Sequence, residues 1–344
     1  MLSPVDHQQA GKELACVNVR HVDLWQKRDT TFLRAVAILI VFNSHLDDYY
    51  PRAQMATGGA VGNALFFALS SFGLVLSSRK RTLPFPDWCA RRFLRLYPAI
   101  WMGLLVYWLP LELWGCFGPS QGFLAVLGNF FYPPWWFVQI LLVFYPLGYA
   151  LTKSSRSASV LRWLAGIIVL YLCIYFSCVD LSRWSVETLP FKTLSCLLAF
   201  VLGAWLALRN EEILYRGSLD WVLLFATVAG IYGHKFLMSK GLLPGWQCLQ
   251  QFLLLPMVYY ALKVSRSDLI QHVLMRSRLP AACLTWLSEH TLEIYMVHTA
   301  LLGPVLALGL LFPLNVVALF ALTLVLAGLT GFLAGKLRHS MEAW

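Results

Sequence analysis

The chain has 344 residues, of which 59% are hydrophobic and 13% are charged, with a mean hydropathy of +0.65 and a net charge of +10. Soluble domains carry about 25% charged residues, so this composition excludes a large soluble protein and predicts a polytopic membrane protein. The positive charge is concentrated in predicted loops that face anionic lipid, so it does not indicate nucleic-acid binding.

The first predicted membrane span lies near residues 31–50, and its apolar run, residues 31–46, contains two ionisable side chains, Arg34 and His45. On one helix they would project from the same face, about 16 Å apart along the axis. A charge at the centre of a membrane helix costs about 2.5 to 3.5 kcal/mol, so such residues usually serve a function. An imidazole of pKa about 6.5 suits general-base catalysis at neutral pH. We predict that His45 is a catalytic base; a hydrogen-bonded packing histidine is the alternative.

Two acidic residues, Asp47 and Asp48, follow His45 two and three residues later. A carboxylate that orients an imidazole is a recurring part of catalytic triads, and Asp48 is our candidate for that role. The alternative is that both are solvated loop charges at the outer surface.

Nine further apolar runs predict membrane spans. They lie near residues 57–78, 93–114, 135–152, 160–178, 191–208, 218–238, 247–264, 284–309 and 314–336. With the N-terminus in the cytoplasm, twenty lysines and arginines fall in inside segments and five in outside loops, which agrees with the positive-inside rule. We expect an all-α bundle of about ten transmembrane helices with both termini cytoplasmic. Short tails, residues 1–30 and 337–344, would flank a membrane domain of residues 31–336.

The third predicted span begins with closely spaced arginines. Arg92 and Arg95 are three residues apart and share one helix face. Guanidinium groups match phosphate oxygens in a bidentate manner, so this pair could hold a nucleotide-like or diphosphate group. Arg91 is better explained by the positive-inside rule alone, whereas Arg95 lies deeper and should be harder to solvate.

The segment from Trp114 to Trp136 is rich in glycine, proline and aromatic residues and has no lysine or arginine. It predicts an outside loop that dips into the membrane or caps the bundle, which requires burial in protein or a wet cavity. An aromatic belt at the interface is an equal alternative. Trp136, at its end, is a candidate for sugar stacking.

The ninth predicted span is dense in polar groups: Glu289, His290, Glu293, Tyr295 and His298 lie within ten residues. Glu289 and Glu293 would share one face near the cytoplasmic end and could simply be solvated. Glu293, Tyr295 and His298 are candidates for substrate binding or for support of the site. Helix–helix hydrogen bonding is the alternative for His298.

The sequence lacks the motifs of several common catalytic and metal-binding sites. It lacks HExxH, GxxxxGK[ST] and GxSxG. The eight cysteines form no CxxC pair, so we expect neither a metal site nor a disulfide framework.

Five strings in order resemble the membrane acyltransferase-3 family. They are Arg34-x10-His45, FFALSSF (66–72), RRFLRLYP (91–98), WWFVQILLVFYPL (135–147) and LSEHTLEIYMVH (287–298). The resemblance covers residues 28–336. The chain departs from the family pattern at two places. The glycine of the expected LSGF string is displaced to Gly73, and Gln139 stands where many members carry glutamate.

The resemblance implies an O-acyltransferase of the bacterial inner membrane. It would move an acyl group, preferably acetyl, from cytoplasmic acetyl-CoA to a sugar hydroxyl of an envelope or exported glycan. Arg34, Arg92 and Arg95 would bind the phosphates of coenzyme A, and the thioester would lie near His45. The expected partners are the glycan or glycolipid acceptor and the lipid bilayer, with no nucleic acid.

Two other functions stay open at this point. One is a transporter or exporter whose buried charges form a substrate path, although no duplicated halves are evident. The other is a membrane-bound O-acyltransferase of the second large class, in which His298 would be the catalytic histidine. The sequence does not identify the acceptor sugar, the acyl chain length or the oligomeric state.

Overall fold

A computed structural model of the protein describes residues 30–113, 115, 123–154, 156–182 and 184–342. Within these ranges the chain is helical, as predicted, and no residue belongs to a strand. The helices are α1 Thr30–Asn43, α2 Gly59–Lys80, α3 Phe85–Leu113, α4 Phe123–Gly128, α5 Trp136–Lys153, α6 Ser157–Cys178, α7 Phe191–Leu208, α8 Ser218–Ser239, α9 Cys248–Val264, α10 Arg278–Glu289, α11 Thr291–Leu306 and α12 Leu314–Glu342. The predicted N-terminal tail, apart from its last residue, lies outside the described residues.

Seven of these helices are long and apolar enough to cross a membrane: α2, α3, α5, α6, α7, α8 and α12. Helices α1 and α11 are apolar but shorter, and α9 has 17 residues. The protein is therefore a polytopic helix bundle. The count of about ten spans and the cytoplasmic placement of both termini stay predictions.

The first helix is shorter than the predicted span of residues 31–50. It ends at Asn43, whose side-chain amide donates to the carbonyls of Met55 and Thr57 at 3.0 and 3.1 Å. These bonds hold the returning chain against the helix end. His45 consequently lies in a turn beyond α1, and the prediction that it shares a helical face with Arg34 is wrong.

The predicted span at residues 284–309 is also interrupted. The helical conformation breaks at His290, which separates α10 from α11. Glu289 ends α10 and is exposed, whereas Glu293 lies in the first turn of α11 and is buried. The expectation that these two glutamates share one helix face is therefore wrong.

The centre of the bundle is the contact between α2 and α7. Gly203 of α7 lies directly against the backbone of Ala68 on α2, because a glycine has no Cβ to keep the helices apart. Ser71 donates its hydroxyl to the carbonyl of Phe200 at the same crossing. This close approach buries most of α2 and makes it the core around which the other helices pack.

The outer faces of several helices are apolar and exposed. On α12 the exposed large apolar residues are Leu314, Val317, Leu322, Val325, Leu329 and Phe332. Such a continuous apolar face is typical of a helix that contacts lipid, since water would penalise it.

The segment before α5 runs beside α3. The Tyr97 hydroxyl donates to the carbonyl of Phe131 at 2.8 Å, and the Trp101 indole donates to that of Phe130 at 2.9 Å. Tyr97 and Trp101 lie near the middle of α3, so residues 130–131 reach the depth of a spanning helix. This arrangement favours the dipping loop over a purely interfacial aromatic belt. Trp114 and residues 116–122 of that prediction lie outside the described residues.

The bundle has two chemically different ends. The N-terminal ends of α2, α5, α7 and α9 lie around one cavity, and we refer to this side as the cavity end. The N-terminal halves of α1 and α3 carry Arg34, Arg92 and Arg95, and we refer to that side as the arginine end. In the predicted topology the cavity end faces outward and the arginine end faces the cytoplasm.

Candidate active site

His45 is held in place by the turn that follows α1. Tyr49, four residues on, donates its hydroxyl to the carbonyl of Leu302 on α11 at 2.5 Å. Asn315 of α12 donates to the Tyr49 carbonyl at 2.8 Å. The turn is thus tied to two helices that are distant in sequence, which restricts the position of the imidazole.

The imidazole of His45 pairs with that of His298. Nε2 of His298 lies 3.3 Å from Nδ1 of His45. Nδ1 of His298 is 2.8 Å from the carbonyl oxygen of Ile294, and Nδ1 of His45 is 2.9 Å from that of Val41. A carbonyl oxygen only accepts, so in the neutral rings both Nδ1 atoms carry the proton.

This assignment determines which nitrogen of His45 is basic. Its Nδ1–H is shared between Val41 and the unprotonated Nε2 of His298. The lone pair of His45 therefore resides on Nε2. His298 has no exposed surface, so its ring supports the neighbouring histidine and does not itself line the cavity.

His45 lines a cavity of about 230 Å³ at the cavity end. Its wall includes Trp136, the first residue of α5, and Lys192, in the first turn of α7. The Lys192 ammonium lies 3.6 Å from the centroid of the Trp136 ring, a cation–π contact. Gln250 of α9 also lines the cavity, is 3% exposed, and its Oε1 has no hydrogen-bond partner among the described residues. The cavity therefore offers a base, a cation and an unused acceptor.

Tyr295 connects this cavity to the histidine pair. Its ring is 5.4 Å from that of Phe137 and 5.7 Å from that of His298. Phe137 follows Trp136 at the start of α5. The predicted supporting residues Tyr295, His298 and Trp136 are thus brought together around His45.

Asp48 and Glu293 lie apart from the histidine pair. Asp47 and Asp48 are exposed, and the ring nitrogen of His45 that a carboxylate would engage is taken by Val41 and His298. The catalytic role expected of Asp48 stays a prediction without a contact to support it. Glu293 packs against α12 near Gly331.

The three arginines predicted to bind phosphate gather at the arginine end. Arg34 is close enough to Arg95 for their charges to interact, and Arg92 and Arg95 are both electrostatic neighbours of Tyr145 on α5. Arg92 donates to Ser77 Oγ at 3.3 Å and packs over the Trp88 ring at 5.3 Å. Contrary to expectation, Arg95 is exposed and Arg92 is the more buried of the pair.

The arginines and the base occupy separate regions. None of the three arginines lines the cavity that contains His45. The phosphate-binding candidates and the candidate base therefore do not share that cavity. The helical rise from Arg34 to the end of α1 at Asn43 is about 14 Å, and an extended donor arm must cover at least that distance to reach His45.

Sequence reasoning missed Lys192, Gln250 and Arg338. In the sequence, Lys192 is one of the few lysines in predicted outside loops, and Gln250 is an ordinary polar residue at the start of a predicted span. Arg338 near the end of α12 donates to the carbonyls of Leu94 and Arg95 at 3.0 Å. No local pattern marks these residues, because their partners lie on other helices.

Comparison with known proteins identifies one family. A family model described as an acyltransferase domain, that of the acyltransferase-3 family, matches residues 29–332. No curated protein and no solved structure is significantly similar to the chain.

Proposed function

The chain belongs to the acyltransferase-3 family, and on that premise we propose that it transfers an acetyl group from cytoplasmic acetyl-CoA to a sugar hydroxyl of an envelope or exported glycan. Membrane acyltransferase activity follows from the family. The acetyl donor, the glycan acceptor and the location in a bacterial inner membrane are parts of the proposal.

The observation that carries the mechanism is the pairing of His45 with His298. It leaves Nε2 of His45 as the basic nitrogen of a residue that lines the cavity. A base in that position can accept the proton of a hydroxyl bound in the cavity. When His45 becomes an imidazolium, its Nδ1–H still donates to Val41 and His298, so the charged ring keeps its orientation.

The arginine end supports the donor side of the proposal. Arg34, Arg92 and Arg95 place three guanidinium groups close together, and Arg92 Nε is buried without a partner among the described residues. Guanidinium groups in this arrangement suit the phosphates of coenzyme A. The pantetheine arm would then extend along α1 towards His45.

In the proposed reaction, the acceptor hydroxyl attacks the carbonyl carbon of the thioester while His45 Nε2 takes its proton. The tetrahedral intermediate collapses and expels the coenzyme A thiolate, which recovers the proton from the imidazolium. The products are the glycan ester and coenzyme A. His298 acts as a positioning residue throughout.

The test is acetyl transfer by the purified full-length protein in detergent. Radiolabelled acetyl-CoA and the envelope glycan fraction of the native host serve as substrates. We expect His45→Ala to abolish transfer, because the base is lost, while the exposed His272→Ala variant keeps it. Full transfer by the His45→Ala variant would remove the mechanism.

The same assay separates the two alternatives. A transporter would move substrate without forming an ester. An enzyme that relies on His298 as base would lose all activity in His298→Ala and keep it in His45→Ala. The complete burial of His298 favours His45 as the base, because a buried ring cannot reach a bound acceptor.

A further inference from the structure

Lys192 contributes a cation to the cavity wall. The residue is half-buried, and its ammonium sits over the Trp136 ring. It forms no salt bridge within the described part of the chain; Glu187 is an electrostatic neighbour but remains exposed. Holding a partly desolvated ammonium without a paired carboxylate is costly, so its charge points to a negative group that is present only during the reaction.

The position of Lys192 relative to His45 indicates where that negative group would form. Lys192 and His45 line the same cavity, and the lysine charge acts on the imidazole. The cation–π contact restricts the long side chain and keeps its ammonium at the cavity wall. A thioester carbonyl that reacts next to His45 would lie in the same cavity as this ammonium.

We propose that Lys192 is a catalytic residue whose ammonium stabilises the oxyanion formed at the thioester carbonyl. The proposal rests on the acyl-transfer function proposed above. As the acceptor oxygen bonds to the carbonyl carbon and its proton moves to His45, the carbonyl π electrons become a lone pair on the oxygen facing Lys192. When the carbon–sulfur bond breaks, that pair re-forms the carbonyl and the electrons of the broken bond leave on sulfur.

The alternative role for Lys192 is to bind an acceptor that carries a permanent negative charge. Such an acceptor fits the cavity less well. The buried Oε1 of Gln250, the carboxylate of Glu187 and the exposed ammonium of Lys235 also line it. The oxygens of Gln250 and Glu187 would repel an anionic group, whereas an acceptor hydroxyl can donate to Gln250. The observed mixture suits a neutral sugar in the ground state and a negative charge that develops only in the transition state.

The experiment measures kcat and KM separately in Lys192→Met, Lys192→Arg and Lys240→Met. Methionine keeps the apolar stem and removes the charge, and arginine keeps the charge in a different shape. Lys240 is a matched control, because its ammonium also packs on an aromatic ring, that of Phe236 at 5.6 Å, but it is exposed and outside the cavity. Substrates are acetyl-CoA and the host glycan fraction.

We expect Lys192→Met to lower kcat about 10²- to 10³-fold with KM for both substrates nearly unchanged, as for loss of one oxyanion-hole donor. Lys192→Arg should recover part of the rate, and Lys240→Met should match the wild type. If Lys192→Met fails to elute as a folded protein in gel filtration, Lys192→Gln takes its place, with the same kcat loss expected.

Two results would overturn the proposal. One is an unchanged kcat in the charge-free variant. The other is a raised KM for the glycan with kcat retained, because that pattern assigns the charge to acceptor binding. Absence of transfer by the wild type would instead refute the proposed function, so the two failures are distinguishable.

Discussion

His298 places its Nε2 atom 3.3 Å from Nδ1 of His45, although the two residues are 253 positions apart in the chain. The contact fixes the tautomer of the proposed base and joins the turn after α1 to the middle of α11. The His298 ring is itself held in place, because its Nδ1–H donates to the carbonyl of Ile294. A base whose basic nitrogen is set by a backbone carbonyl and a second histidine, and not by a carboxylate, is the main feature of this site.

Replacing His298 should slow acyl transfer without abolishing it. We expect His298→Leu to lower kcat about 10- to 100-fold, because the His45 Nδ1–H loses one of its two acceptors and the ring is held less firmly. His298→Gln should be less impaired, since the amide oxygen can accept from His45 Nδ1. Steady-state kinetics would show the difference, and equal rates for the two variants would argue that only packing matters.

Removing Arg92 should weaken binding of the donor. The loss of a charge-assisted hydrogen bond to phosphate costs about 1.5 to 3 kcal/mol, so Arg92→Ala should raise KM for acetyl-CoA at least about tenfold. The adjacent Arg91 is exposed and serves as the matched control. An equal rise in KM for Arg91→Ala would show that the effect is general electrostatic attraction and not a specific contact.

The crossing of α2 and α7 should not tolerate a methyl group at Gly203. The added Cβ would overlap the Ala68 carbonyl and lie 2.5 Å from Ser71 Oγ. We expect Gly203→Ala to destabilise the protein by about 1 to 3 kcal/mol or more, as overpacking does. Thermal unfolding in detergent would measure this.

The control for that experiment is Gly166→Ala on α6. A Cβ at this position meets no atom within 4 Å, and alanine is the better helix former by about 1 kcal/mol. Its unfolding temperature should be equal to or above that of the wild type. A similar loss in both variants would mean that detergent, and not packing, limits the measurement.

The buried ion pair between Lys263 and Asp220 should be sensitive to loss of one partner. The two side chains are 2.5 Å apart and 6% and 1% exposed. Asp220→Asn leaves the lysine charge buried, which costs about 3 to 5 kcal/mol in comparable pairs. The exposed pair of Arg209 and Glu212 is the comparison, because Glu212→Gln should cost at most about 1 kcal/mol.

A double variant tests whether the charge itself is responsible. Asp220→Leu combined with Lys263→Leu removes both charges and should recover much of the stability lost by Asp220→Asn. Thermal unfolding of the set would measure the coupling. A double variant no more stable than the single one would assign the loss to other contacts of Asp220, such as the backbone amide of Arg216.

Much of the fold class was readable from the sequence. Hydropathy and charge are properties of each short segment of the sequence. The apolar helices and their approximate order therefore followed from local composition alone. Arg34 and His45 stood out for the same reason, since an ionisable group in an apolar run is visible without knowledge of its neighbours.

The tertiary structure decided what the sequence left open. It ended α1 at Asn43, because that amide bonds to carbonyls 12 and 14 residues away. It paired His45 with His298, placed Lys192 over Trp136 beside them, and left Asp48 at the surface. The contacts behind these outcomes join separate segments of the chain, and the hydrophobic period of one segment carries no information about which partner it will contact.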